Sequence, residues 1–161
     1  MATIMYSRAL KDMLGGTLTL PTDTGLKIML LTSTYIPDPD DTVVDSGGSS
    51  DPLDAEINVG GTGYVGGHGG SGRKFMNADI FEDKSTNRVN IGFKSGVSWT
   101  GLAAGVTISA AALIKETGAN DTNSKLIAYF DVNDFATNGG TFSLLFNSAS
   151  GAGAGHFRFP V

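Results

Sequence analysis

The chain is predicted to be mainly β: an antiparallel β-sandwich or jelly-roll-like barrel with a short N-terminal amphipathic helix. Three observations carry that expectation. Apolar residues recur at every second position in short runs between Met76 and Val161, the period that puts one set of side chains on one face of a strand. Clusters of turn-forming residues, such as Gly118–Ser124 and Asn138–Gly140, separate those runs. A helical period shows convincingly only near the N-terminus.

That helical stretch comes first. Tyr6, Ala9, Leu10, Met13 and Leu14 form one apolar stripe at the i, i+3, i+4, i+7 spacing, with Arg8, Lys11 and Asp12 on the other side. Gly15-Gly16 ends it. So short a helix is marginal alone in water, and it is expected to dock on its own domain. Leu26 to Thr32 reads as a strand apolar on both faces, hence central. The connector 33–50 is rich in Asp, Pro and Ser and is expected to be a solvated acidic loop. Its Asp38, Asp40, Asp41 and Asp45 do not make a calcium loop, because Val43 and Ser49 stand where glycine and glutamate are required. Residues 51–57 suggest one helical turn, with Asp51 as cap and Pro52 at the first position.

Beyond the glycine-rich stretch Gly60 to Lys74, alternation becomes clear. Met76, Ala78 and Ile80 make one run; Val89, Ile91 and Phe93 make the next, with the same parity continuing to Val97 and Trp99. The polar link Glu82–Asn87 joins the two as an antiparallel hairpin. Val106 to Ile114, Leu126 to Phe130 and Phe142 to Phe146 follow. Phe157, Phe159 and Val161 end the chain after a linker over 148–155 expected to be flexible. Roughly seven or eight strands result. Residues 1–161 are read as one domain: 1–59 a helix, a strand and an irregular connector, 60–74 a glycine-rich loop and hinge, and 75–161 the β-body.

Bulk properties narrow the function. At 161 residues the chain is long enough for a real core. Its 23 glycines are about twice the usual share, which fits short strands and many turns. A net charge of −5 with scattered basic residues argues against direct nucleic-acid binding. No cysteine is present, which removes disulfides and thiolate chemistry. No apolar run approaches a membrane span and no secretory signal is seen, so the chain is expected to be made in the cytoplasm. Gly61, Gly63 and Gly66 match G-x-G-x-x-G, but a strand rather than a helix is expected after them, so no dinucleotide site follows. His68 and His156 lack partners at ligand spacing, and no G-x-S-x-G elbow occurs. The sequence nominates no catalytic, cofactor-binding or metal-ligating residue. Trp99 with Phe142, Phe146, Phe157 and Phe159 suits a sugar-stacking platform, but at strand spacing core is the stronger reading.

An ordered set of stretches resembles a family of small structural proteins of tailed bacteriophages. They are Met5–Gly16, Gly25–Asp40, Ala55-Glu-Ile57 with Gly61-Thr-Gly-Tyr-Val-Gly-Gly67, Val97-Ser-Trp-Thr100, Ala110–Glu116, and Leu126–Asp131 with Asn138-Gly-Gly140. Two segments depart from the pattern: His68-Gly-Gly-Ser-Gly72 and the C-terminal glycine/alanine linker. The resemblance implies a non-enzymatic virion protein, first of all a capsid decoration or cement protein on the outer head surface. It implies the major capsid protein as partner, no membrane partner, and homo-oligomerisation, a trimer ahead of a dimer. A tail, head–tail or receptor-binding fibre component is the alternative; a carbohydrate-binding module is the third. Candidate partner contacts are Tyr6, Leu10, Met13, Tyr64, Gly66, Gly67, His68 and Arg73.

Overall fold

The computed structural model describes residues 3–20, 25–58, 63–93 and 96–146, and the backbone of 157–160. It is mainly β, with antiparallel sheets and one short N-terminal helix, in a β-sandwich-like arrangement. The order is β1 (Thr3–Met5), α1 (Ser7–Leu14), β2 (Leu26–Leu31), β3 (Lys74–Phe75), β4 (Ala78–Asp83), β5 (Arg88–Phe93), β6 (Val97–Trp99), β7 (Thr107–Lys115), β8 (Lys125–Ala136), β9 (Phe142–Leu144) and β10 (Phe157–Pro160).

A five-stranded sheet runs β1-β8-β7-β2-β3, a three-stranded sheet runs β10-β5-β4, and β6 pairs with β9. All pairings are antiparallel. The two larger sheets meet through aromatic rings: Phe93 of β5 lies edge-on to Phe130 of β8 at 6.0 Å, and Phe146 contacts both. The small sheet closes on the far end of β8, where Phe142 packs against Phe135 and Trp99. Edge-to-face rings of this kind fill a core while adding a modest attraction of their own.

β2 is buried at all six positions, as its two-faced apolar pattern requires. β7 is buried from Ile108 through Ile114, so its alternation conceals a strand covered on both faces. Small Ala110, Ala111 and Ala112 let neighbours close over it. The hairpin of β4 and β5 forms as expected, with Asn87 at φ 52 in its turn. The expected parity from Phe93 to Trp99 does not hold as one strand: β6 leaves its neighbour's sheet and joins β9. Ile80, expected inward with Met76 and Ala78, is exposed, because β4 is an outer strand.

Three further expectations are corrected. Asp51 does not cap a helix; its carboxylate accepts bonds from Ser46 N–H and Oγ and from Gly48 N–H, holding residues 46–51 as a turn. α1 docks on β8 as expected, with Tyr6 and Ala9 of its stripe buried and Leu10 and Met13 half-buried, but the far end of the stripe is turned away: Asp12 is buried and Leu14 exposed. The glycine stretch does not divide an N-terminal third from a β-body. β1 and β2 are strands of the same sheet as β7 and β8, and the buried apolar residues form one cluster from Tyr6 to Leu144. The predicted linker 148–155 lies outside the described residues.

Candidate functional site

The densest chemistry surrounds Arg73, which enters β3 from the glycine stretch. Its side chain is fully buried. Nε and Nη2 donate to the two oxygens of Glu56 at 2.8 and 2.7 Å; Nη1 and Nη2 donate to Asp121 at 2.6 and 3.0 Å; Nη1 also donates to Glu116 at 3.2 Å. Every N–H donor of the guanidinium is thereby engaged. Lys27 of β2 binds the other oxygen of Glu116 and lies over the Phe75 ring. Three carboxylates thus face two cations, all but a small fraction withdrawn from water.

The same cluster fastens the glycine stretch. Gly67 N–H donates to Glu56 and Gly69 N–H to Glu116. The Tyr64 hydroxyl donates to Glu56 at 2.7 Å and accepts Leu30 N–H of β2. Gly70, Gly72 and Arg73 close on Gly67, Val65 and Gly70 through backbone bonds. Trp99 locks the end by donating its indole N–H to the Gly72 carbonyl. Glycine is required here: a Cβ on Gly72 would sit 2.5 Å from the Tyr64 ring, and one on Gly70 would sit 2.3 Å from the Val65 carbonyl. Gly67 has φ +82, a conformation glycine reaches without strain.

Electrostatics follow from this packing. Burial alone would raise the Glu116 carboxyl; the Lys27 ammonium, the Gly69 N–H and the Arg73 guanidinium outweigh it and hold the group below its ordinary value. Burial would likewise ease a proton off Arg73, but Glu56 and Asp121 hold it firmly charged. Burial and then the Glu56 charge push the Tyr64 hydroxyl well up, so it stays a neutral donor. A recess of about 210 Å³ abuts the cluster at Glu56, Gly66 and Gly67. Both oxygens of Glu56 are occupied by internal donors, two each. The arrangement therefore clamps a loop, with its charges spent on one another. Among the described residues no His, Asp and Glu side chains gather into a group able to hold a metal ion.

The candidate contacts divide. Tyr6, Tyr64 and Arg73 are internal and are corrected as partner contacts: Tyr6 bonds Tyr35, which donates to Asp41, and the other two belong to the clamp. Each carries a polar tip on a long side chain, and each tip is satisfied inside. Leu10, Met13, Gly66, Gly67 and His68 are half-buried, and His68 Nε2 is a buried atom with no hydrogen-bond partner. Trp99 is core, as its strand spacing implied, and Phe142 with it. The side chains of Phe157 and Phe159 lie outside the description. Sequence reasoning missed Glu56, Glu116 and Asp121. The available signal was a lone arginine closing a glycine run just before a strand, a place where a buried cation needs carboxylates.

The outward surface is different in kind. Leu14, Ile36, Phe75 and Leu145 are each at least 70% exposed, and Ile80 and Phe81 stand out of β4. Met13, Leu18, Leu20 and Ile80 line a recess of about 180 Å³ beside that strand. No helix among the described residues is long and apolar enough to cross a membrane. Comparison with protein families, curated proteins and solved structures returns no match.

Proposed function

We propose that this chain is a non-enzymatic virion structural protein of a tailed bacteriophage, working as a capsid decoration protein on the outer head surface. The observation that carries the reading is a division of labour. The concentrated charge is turned inward as a clamp, while large apolar side chains (Leu14, Phe75, Ile80, Phe81) are left on the outside. Contiguous exposed apolar surface marks a binding face, and Ile80 shares an outward recess with Met13, Leu18 and Leu20. The stretches that resemble phage structural proteins also converge: Glu56, Tyr64, Gly67 and Glu116 come from three of them and meet around Arg73. A decoration protein stabilises a shell by bridging neighbouring subunits, which calls for a stiff body with a formed contact surface. The partner on this reading is the major capsid protein, and the location is the capsid surface.

Quantitative proteomics and electron microscopy of purified particles test it. A copy number that scales with the shell lattice, with density outside the head, is the expected result. A count fixed by the tail or by one vertex, or absence from the particle, overturns it.

A further inference from the structure

Three pieces of the chain enclose a recess of about 250 Å³: α1 with Arg8 and Asp12, the connector with Thr42, and the turn into β8 with Thr122, Asn123 and Lys125. Its walls are tied together. Leu126 N–H donates to the Thr42 carbonyl at 3.2 Å and Val44 N–H to the Ser124 carbonyl at 2.9 Å, which binds the connector to the start of β8. In the turn, the Thr122 hydroxyl and the Asn123 carboxamide both donate to Asn120 Oδ1. The buried Asp12 receives Arg8 Nε at 3.1 Å on one oxygen and Lys125 Nζ on the other. Both cations are therefore held at the recess by one carboxylate.

That leaves one positive charge over. Among the described residues no acid other than Asp12 lines the recess, and Asp121, beside Thr122 in the chain, is engaged by Arg73. The Arg8 side chain is 52% exposed, and among the described residues its two Nη groups donate to nothing. A guanidinium anchored through Nε keeps the Nη pair as a two-point donor that matches the two oxygens of a carboxylate. The Thr42 hydroxyl is exposed and equally unengaged among those residues. A single surplus charge suits a monoanion. The net charge of −5 and the acids Asp38, Asp40, Asp41 and Asp45 of the same connector repel a polyanion. Leu14 of α1 and Ile36 of the connector stand exposed on two of the elements that form the recess, so a protein surface finds apolar contact as well as charge there.

We propose that this recess is a socket for one carboxylate of a partner protein, an Asp or Glu side chain gripped through both oxygens by the Nη pair of Arg8 and flanked by Lys125 and Thr42. The inference goes beyond the decoration reading, which rests on exposed apolar surface and assigns no polar contact.

Nuclear magnetic resonance of the full chain tests it, following the Arg8 Nε–Hε signal during titration with acetate and with the blocked peptide acetyl-Leu-Glu-Leu-amide, against sodium chloride at equal ionic strength. Saturable shifts with both probes, and tighter binding of the peptide, are expected. Arg8→Gln should weaken peptide binding about tenfold or more, since a hydrogen-bonded charge is lost, and Arg8→Lys should fall between it and the native chain. Arg8 is half-exposed, so the amide spectrum away from the recess should not change. Shifts no different from those with sodium chloride overturn the inference, as does an Arg8→Gln chain that binds like the native one. Equal affinity for acetate and peptide overturns the protein source, and tighter binding of inorganic phosphate overturns the carboxylate. A chain that decorates shells yet binds neither probe sinks this inference alone; a chain that binds the peptide but is absent from particles sinks the decoration reading alone.

Discussion

Arg73 shows how one side chain can hold a glycine-rich segment in place. Its partners Glu56, Glu116 and Asp121 are 17, 43 and 48 residues away in sequence. A planar guanidinium offers donors in a fixed fork, which is why it can serve three carboxylates at once. Removing it leaves those carboxylates buried beside Lys27 alone. Breaking a buried pair from one side costs about 3–5 kcal/mol. Arg73→Met is therefore expected to lose about that much in urea unfolding, and Arg73→Lys somewhat less, because a point charge replaces part of the fork. A loss below about 1 kcal/mol for Arg73→Met would mean that the clamp contributes little. Arg73 itself was visible as a basic residue closing the glycine run. Its carboxylates were not, since nothing local distinguishes them from solvated acids.

At the scale of elements, the glycine stretch and α1 depend on contacts their own sequences do not announce. Gly72 is pressed against the Tyr64 ring and gives its carbonyl to Trp99, whereas Gly67 has open space around its Cα and needs only its positive φ. Two costs follow. Gly72→Ala meets overpacking of about 1–3 kcal/mol, and Gly67→Ala meets backbone strain of roughly 1–2 kcal/mol. Thermal unfolding should place Gly72→Ala below Gly67→Ala, and the reverse order would show that the ring can move aside. α1 carries a similar lesson. Its apolar stripe predicted a buried face through Leu14, yet the buried face runs from Tyr6 and Ala9 to Asp12, because Lys125 of β8 is there to meet the carboxylate. Helical periodicity names the stripe; the neighbour's charge sets the rotation.

In the whole molecule, ion pairs tie elements far apart in sequence, and acid should loosen them together. Lys125 and Arg8 outweigh burial and hold Asp12 below its ordinary value, and Glu116 is depressed by the clamp. For groups depressed on folding, the stabilisation is present above the unfolded value, about 4 for carboxylates. It is lost as pH falls through the lower folded value. Stability is thus expected to be nearly level from neutrality to about pH 5 and to fall steeply below about pH 4. Glu116→Gln should be less stable at neutral pH and show a shallower acid decline in denaturant titrations. An unchanged decline would remove Glu116 from the account. Acid acts here on the join between β2 and β7 and on the seat of α1, both parts of the one buried cluster.

The sequence alone determined the class: strands where apolar residues alternate, a turn at Asn138–Gly140, a β4–β5 hairpin, β2 buried on both faces and Trp99 in the core. These are local properties, because burial of one face imposes a period of two wherever a strand lies on a core. Tertiary structure decided the rest. It set β1 beside β8 and β2 beside β7, moved β6 to β9, turned Asp12 inward, and gathered Glu56, Glu116 and Asp121 around Arg73. Partners so distant in the chain are chosen by packing and by the cost of burying a charge unpaired, and neither quantity is written in any single stretch.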